Sequence, residues 1–248
     1  MNEGSRYAIY FVPAAASTLY QFGSSVLGYD CYTGETLIQP DELIRGDRDW
    51  RSMVEEPRRY GFHATLKAPF HLSAACTEMQ LIDALRNFAV SRPVVPMIVP
   101  VIGIVSGFAA VVPKQPVPAL DALAADCTRA FDCFRAPMSP QERARRIATG
   151  LSQAQIENLD RWGYPYVFAD FRFHMTLTGR IAADARDSAV GLLRTSFDRL
   201  CGSATIEVDR LALLEQESSS ANFRILDQAQ LSAPPAPDAQ CGPRPGRR

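Results

Sequence analysis

Histidine is scarce in this chain, with three among 248 residues. No His-x-His, His-Glu-x-x-His or Cys-x-x-Cys string occurs, so the sequence offers no recognisable cluster of metal ligands, and no metal or other cofactor is expected. The Gly-x-Gly-x-x-Gly fingerprint and the Walker-type Gly-rich loop are also missing, which leaves nucleoside-triphosphate and dinucleotide readings without support. No Gly-x-Ser-x-Gly string appears, removing the commonest signature of serine hydrolases. An excess of charge of either sign is lacking too: a formal net charge of -1 gives no basic surplus for coating a long nucleic acid. A local positive pocket for one phosphate stays compatible with it. The most apolar stretch, "PVVPMIVPVIGIVSGFAAVVP", is broken by proline and glycine and never offers about 18 uninterrupted apolar residues, so no membrane span is expected. "MNEGSRYAIYFVP" has neither the basic start nor the apolar run of a signal peptide, and the expected location is cytoplasmic. The six cysteines are scattered through a chain large enough to fold without staples, and free thiols are expected.

What is present is a chain with 47% hydrophobic residues, enough for a substantial core. Its periodicity alternates between strand and helix. "RYAIYFV" (6–12) has strand composition, and 17–28 follows as a helix capped by Ser17 or Thr18. "FHATLKAPFHL" (62–72) reads as a strand and 77–90 as a helix capped by Thr77. Strands near 96–105 and 107–112 precede a helix over 116–134. Ser139-Pro140 with Glu142, and Ser152 with Gln155, mark two more helix starts. Strands around "YVFA" and "FRFHMTLTG", a helix over 184–200 and two closing strands complete the pass. Residues 29–59, rich in Asp, Arg, Gly and Pro, read as an irregular insertion, and the Pro- and Gly-rich 233–248 as a disordered tail.

Two strings stand out: "GFHATLKAPF" (61–70) and "RFHMTLTGR" (172–180) both carry Phe-His-x-Thr-Leu. Each is followed by a helix and two strands, so the chain reads as a duplicated lobe. The expected organisation is one bilobal domain over 1–232, lobe one about 6–113 and lobe two about 114–232, with an exchange of terminal strands allowed. Side chains on a strand alternate faces, so His63, Thr65 and Lys67 share one face while Phe62, Ala64 and Leu66 share the other. In the second copy Arg172, His174, Thr176, Thr178 and Arg180 lie together, opposite Phe173, Met175 and Leu177. Polar groups on an otherwise apolar strand need partners or solvent, which makes those faces the walls of a cleft. His71, beyond Pro69, reads as a strand-end residue.

Paired His-x-Thr motifs, one per half, resemble the two-histidine (2H) phosphoesterase superfamily. The strings "RYAIYFVP", "RRYGFHATLKAPF", "FRAPMSP" and "RWGYPYVFADFRFHMTLTGR" are similar to an uncharacterised branch associated with bacterial phosphonate-utilisation operons. The resemblance implies an α+β, pseudo-twofold fold in which two antiparallel sheets face a central groove with helices outside. It also implies phosphodiester chemistry without an obligatory metal.

The residue types suit that chemistry. Hydrolysis of a phosphodiester needs a base for the attacking water, an acid for the departing oxygen and donors for the nonbridging oxygens. Histidine serves as either acid or base near neutrality, and in-line displacement wants the two on opposite sides of phosphorus. The candidates are therefore His63 and His174 as catalysts, Thr65 and Thr176 as phosphate donors, Lys67 or Arg172 as the added positive charge, and Tyr7 as a contact for the organic part. Which histidine is the acid stays open. A phosphate-steering role for Arg145 or Arg146 is a further option. The expected partner is a small, cyclic phosphorylated substrate; a ligand-binding protein and an RNA-end 2',3'-cyclic phosphodiesterase are the alternatives.

Overall fold

The computed structural model describes residues 4–232 and 234, apart from Arg48. The tail expected over 233–248, Cys241 included, lies outside the described residues but for Pro234. Strand β1 (Arg6–Phe11) is the apolar "RYAIYF" and is buried along nearly its whole length. Helix α1 (Thr18–Leu27) starts where Ser17 accepts from the Tyr20 amide, and it stops at Gly28, whose φ of 71° is the left-handed cap that glycine adopts freely. Helices α2 (Asp41–Gly46) and α3 (Trp50–Arg58) lead to strand β2 (Ala64–His71). Helix α4 (Glu78–Val90) has the full capping box between Thr77 and Gln80. Strands β3 (Val95–Ile98), β4 (Pro100–Val105) and β5 (Phe108–Pro113) precede helices α5 (Pro118–Ala130), α6 (Pro140–Ile147) and α7 (Gln153–Trp162). Strand β6 (Met175–Arg180), helix α8 (Arg186–Cys201) and strands β7 (Ile206–Val208), β8 (Arg210–Gln216) and β9 (Arg224–Gln230) end the order.

The fold is α+β and antiparallel. Seven strands form a sheet in the order β4-β5-β6-β2-β1-β8-β9, while β3 and β7 make a separate ribbon. The sheet has two halves that meet between β2 and β6 at one residue pair, Ala64 opposite Met175. The two sheets expected from the sequence are thus the halves of one continuous sheet. Strands exchange between them: β4 and β5 join β6 of the second motif, and β8 and β9 extend β1 and β2 of the first. Helices α3 and α8 pack on the β4-β5-β6 half, α4 and α5 on the other.

Two expectations are corrected. Residues 29–59 are not irregular: they hold α2 and α3 and bury Tyr29, Cys31, Leu43, Trp50 and Val54. Their apolar residues are too sparse to show periodicity within helices of one or two turns. "YVFA" is not a strand but enters a 3-10 turn at Phe168–Asp170, and the second motif strand begins only at Met175. Five cysteines, Cys31, Cys76, Cys127, Cys133 and Cys201, are free thiols.

Candidate active site

The register between β2 and β6 does more than join the half-sheets. With Ala64 opposite Met175 in an antiparallel pair, the flanking positions align His63 with Thr176 and Thr65 with His174. Each histidine thereby faces the threonine of the other motif. Phe62, Leu66, Phe173 and Leu177 are buried in the core, as alternation requires.

Both rings are held alike. His63 donates from Nδ1 to the Gly61 carbonyl at 2.9 Å, and His174 donates from Nδ1 to the Arg172 carbonyl at 2.7 Å. A carbonyl only accepts, so in each neutral ring Nδ1 carries the proton and Nε2 is left with a lone pair. The Thr65 hydroxyl lies 3.1 Å from His63 Nε2 and donates to it. Gly61 makes its part of this possible: its φ is 72°, and a Cβ there would lie 2.7 Å from Cys31 Cβ.

The environments differ. His63 is 9% exposed and stacks on Tyr10 at 3.7 Å. Burial depresses its pKa to about 4, against the Gly61 carbonyl and with help from the nearby His174 charge. His174 is half-buried, tilted against Phe108 at 5.4 Å, and burial lowers its pKa against the pull of the Arg172 carbonyl.

Two adjoining cavities carry these groups. The first, about 440 Å³, is walled by His63, Thr65, Thr176, Tyr10, Tyr60 and the arginines Arg6, Arg146 and Arg180. The second, about 290 Å³, is walled by His174, Arg172, Tyr166, Phe168 and Phe171. Thr65, Ala68, Phe108, Tyr164 and Arg180 line both, so the histidines stand in adjoining compartments with a shared wall. Burial pushes the Tyr164 phenol up to about 12, so it stays a donor. Ser106 and Phe168, the non-glycine residues with positive φ among the described residues, both line the second cavity. Backbone held in that sparsely populated region clusters where function overrides local preference.

Of the residues singled out from sequence, His63, Thr65, Thr176, His174 and Arg172 line the cleft, and Lys67 and Tyr7 do not. Lys67 is 4% exposed and pairs with Asp132 at 3.1 Å and with the Thr128 carbonyl at 3.2 Å. The cause is a bulge: Tyr10 pairs with Thr65 and Ile9 with Lys67, so Leu66 is an extra residue and turns Lys67 toward α5. Burial drives the Lys67 pKa down, against the attraction of Asp132. Tyr7 donates to Glu78 at 2.8 Å, on the face of β1 opposite Arg6 and Tyr10. Parity along "RYAIYF" was a usable signal, because the face carrying Arg6 is the polar one.

Arg172 is tied to the Ala169 carbonyl at 2.9 Å and the Phe171 carbonyl at 2.6 Å, holding the loop before the motif. Thr178 is consumed by the sheet, accepting from the Ala109 amide at 3.0 Å and donating to the Gly179 carbonyl at 2.8 Å. Arg146, not Arg145, reaches the cleft. Among the described residues no group of three or more His, Cys, Asp and Glu is placed to hold a metal, and no helix is long and apolar enough to cross a membrane.

Residues 65–224 match the family described as "Protein of unknown function (DUF1045)". The chain belongs to this family. The family match starts at Thr65 and takes in Arg172, His174, Thr176 and Arg180. Two curated relatives, from Janthinobacterium sp. (strain Marseille) and Laribacter hongkongensis (strain HLHK9), both carry the name ribose 1,5-bisphosphate phosphokinase PhnN. The first is 32% identical over 228 residues, covering 88% of this chain and 49% of the relative. The second is 33% identical over 220 residues, covering 89% and 50%. The chain spans about half the length of the curated relatives it matches. Among solved structures, Escherichia coli LigT complexed with NADP+ aligns over 94% of this chain and 100% of its own, at 14% identity and a TM-score of 0.38.

Proposed function

We propose that this family member hydrolyses a small, cyclic phosphodiester on a phosphorylated sugar or nucleotide, using His63 and His174 as a base and acid pair and requiring no metal. One observation carries the reading: both histidines fix Nδ1 on the carbonyl two residues earlier and so leave Nε2 as the basic nitrogen, on a register that sets each beside the other motif's threonine, with the Thr65 hydroxyl meeting that nitrogen at His63. A structural histidine has no need of a symmetry mate with the same tautomer.

In this mechanism His63, the more deeply buried and harder to protonate, takes a proton from water at Nε2. The water oxygen forms a bond to phosphorus and the bond to the sugar oxygen opposite breaks. His174, the more accessible ring, enters the step as its imidazolium, keeps its Nδ1 proton on the Arg172 carbonyl and gives the Nε2 proton to that departing oxygen, ending neutral. With the diester in place the Thr65 hydroxyl turns from His63 Nε2 to a nonbridging oxygen, Thr176 donates to the other, and Arg180, which lines both compartments, stabilises their charge in place of Lys67. The product is a phosphomonoester.

The kinase name belongs to relatives about twice the length of the chain, and no Gly-rich phosphate loop occurs in these 248 residues. We therefore do not carry phosphoryl transfer over to this chain. The sugar phosphate in those relatives' name does make a phosphorylated pentose the first compound to try. The test is turnover of a panel of sugar cyclic phosphates, 2',3'-cyclic nucleotides and linear diesters, with and without chelator. Metal-dependent turnover would remove the metal-free part, and turnover by no member would remove the reading.

A further inference from the structure

The first cavity is larger and more cationic than one cyclic diester needs. Three guanidinium groups, Arg6 from β1, Arg146 from α6 and Arg180 from β6, line it against one carboxylate, Glu56, in a protein whose net charge is -1. Arg180 and Thr176 serve the phosphate between the histidines. Arg6 and Arg146 have no part in that chemistry.

Arg6 is half-buried, and its partner is the neutral amide of Gln216, met from Nε at 2.7 Å and from Nη2. Among the described residues no carboxylate lies within ion-pair distance of it. A half-buried guanidinium held by an amide is positioned but not neutralised, and its remaining donors stay available. Arg146 keeps Glu142 at 2.7 Å and the Gly163 carbonyl at 3.4 Å, which orients it on the cavity wall with donors to spare.

The distance from the histidines has a defined scale. Arg6 and Tyr10 share a face of β1 four residues apart, about 13 Å between Cα atoms at strand rise, and the Arg6 guanidinium is held over Phe223 beside Gln216. Aromatic rings floor the interval: Tyr10 stacks on His63 at 3.7 Å, Phe223 lies 6.2 Å from Tyr10 and 5.4 Å from Tyr60, and Arg6 sits 5.5 Å over Phe223.

We propose that the first cavity is a two-anion site: the substrate carries, besides the diester at the histidines, a phosphomonoester one sugar away that Arg6 and Arg146 hold. This rests on the phosphodiesterase reading for what happens to the diester, but the two-anion site is testable without turnover.

The experiment measures calorimetric binding of a pentose 1,5-bisphosphate and a pentose 5-monophosphate to wild type, Arg6→Gln, Arg146→Gln, the double variant and Arg145→Gln. Loss of charge-assisted hydrogen bonds to one phosphate corresponds to about tenfold or more in affinity. The expected result is a bisphosphate preference of about that size in wild type. The single arginine variants reduce it, the double variant abolishes it, and Arg145→Gln keeps it. Arg6→Lys, which keeps the charge and loses the fork, retains part of it and controls for misfolding. Equal affinities in wild type, or a preference that survives the double variant, overturn the site. Binding that follows Arg6 and Arg146 without turnover of any cyclic diester keeps the two-anion site and removes the phosphodiesterase reading. Turnover abolished by His63→Ala, with no bisphosphate preference, does the reverse.

Discussion

His63 lies flat against Tyr10, ring centroids 3.7 Å apart and planes 17° from parallel. Tyr10 is 1% exposed, so this stack closes one face of the imidazole to water and fixes its orientation. The phenol oxygen is not what matters. Tyr10→Phe should therefore keep diester turnover within about threefold, whereas Tyr10→Ala should lower kcat about tenfold or more through misorientation. The His63 pKa in Tyr10→Ala should rise toward the ordinary 6.5, read by titrating its ring proton by NMR. An unmoved titration in Tyr10→Ala would mean that the stack does not set the environment of His63.

Stability should follow the same group. His63 stays neutral in the fold down to about pH 4, while the unfolded chain protonates it near 6.5. Between those values the unfolded state binds more protons, so stability falls as pH drops through this window and does not depend on this group above it. The full effect is roughly 3 kcal/mol. Urea unfolding from pH 4 to 7 should show this slope in wild type and a flatter one in His63→Gln. Parallel slopes would contradict the assignment.

Gly61→Ala combines two costs. The left-handed backbone disfavours a side chain by roughly 1–2 kcal/mol, and the new Cβ meets Cys31 Cβ at 2.7 Å, an overpacking worth about 1–3 kcal/mol. The same shift displaces the carbonyl that holds His63. A destabilised variant with reduced kcat is expected; a stable, fully active one would mean that the carbonyl does not govern the ring.

Local signals survived folding best. The capping residues Ser17, Thr77, Ser139 and Ser152 all act as read, because a helix start is decided within four residues. The His-x-Thr pairs were legible for a similar reason: strand parity carries over two residues. It did not carry over four, because the bulge at Leu66 reverses it before Lys67. Arg6 and Tyr10 went unread as site residues, and Arg146 was read only as an option beside Arg145, because their proximity to His63 comes from strand pairing and from a helix about 80 residues away in sequence, which periodicity does not encode. The contribution of 29–59 to the wall, through Glu56 and Pro57, was hidden by its composition.

Lys67 offers a clean separation of structure from function. Lys67→Ala removes one side of a buried ion pair and leaves Asp132 with Arg135 at 2.9 Å. A loss of about 3 kcal/mol is expected, the low end for breaking such a pair, with KM for the diester unchanged. A raised KM without loss of stability would return Lys67 to the site.

The central claim is that His63 and His174 act as one unit on a shared phosphate. The direct measurement is kcat on a cyclic phosphodiester for wild type, His63→Ala, His174→Ala and the double variant. Each single substitution should cost about 10²–10⁴-fold, and the double variant should be no slower than the worse single one, because groups acting together are lost together. Losses that multiply in the double variant, or turnover that survives both substitutions, would contradict it.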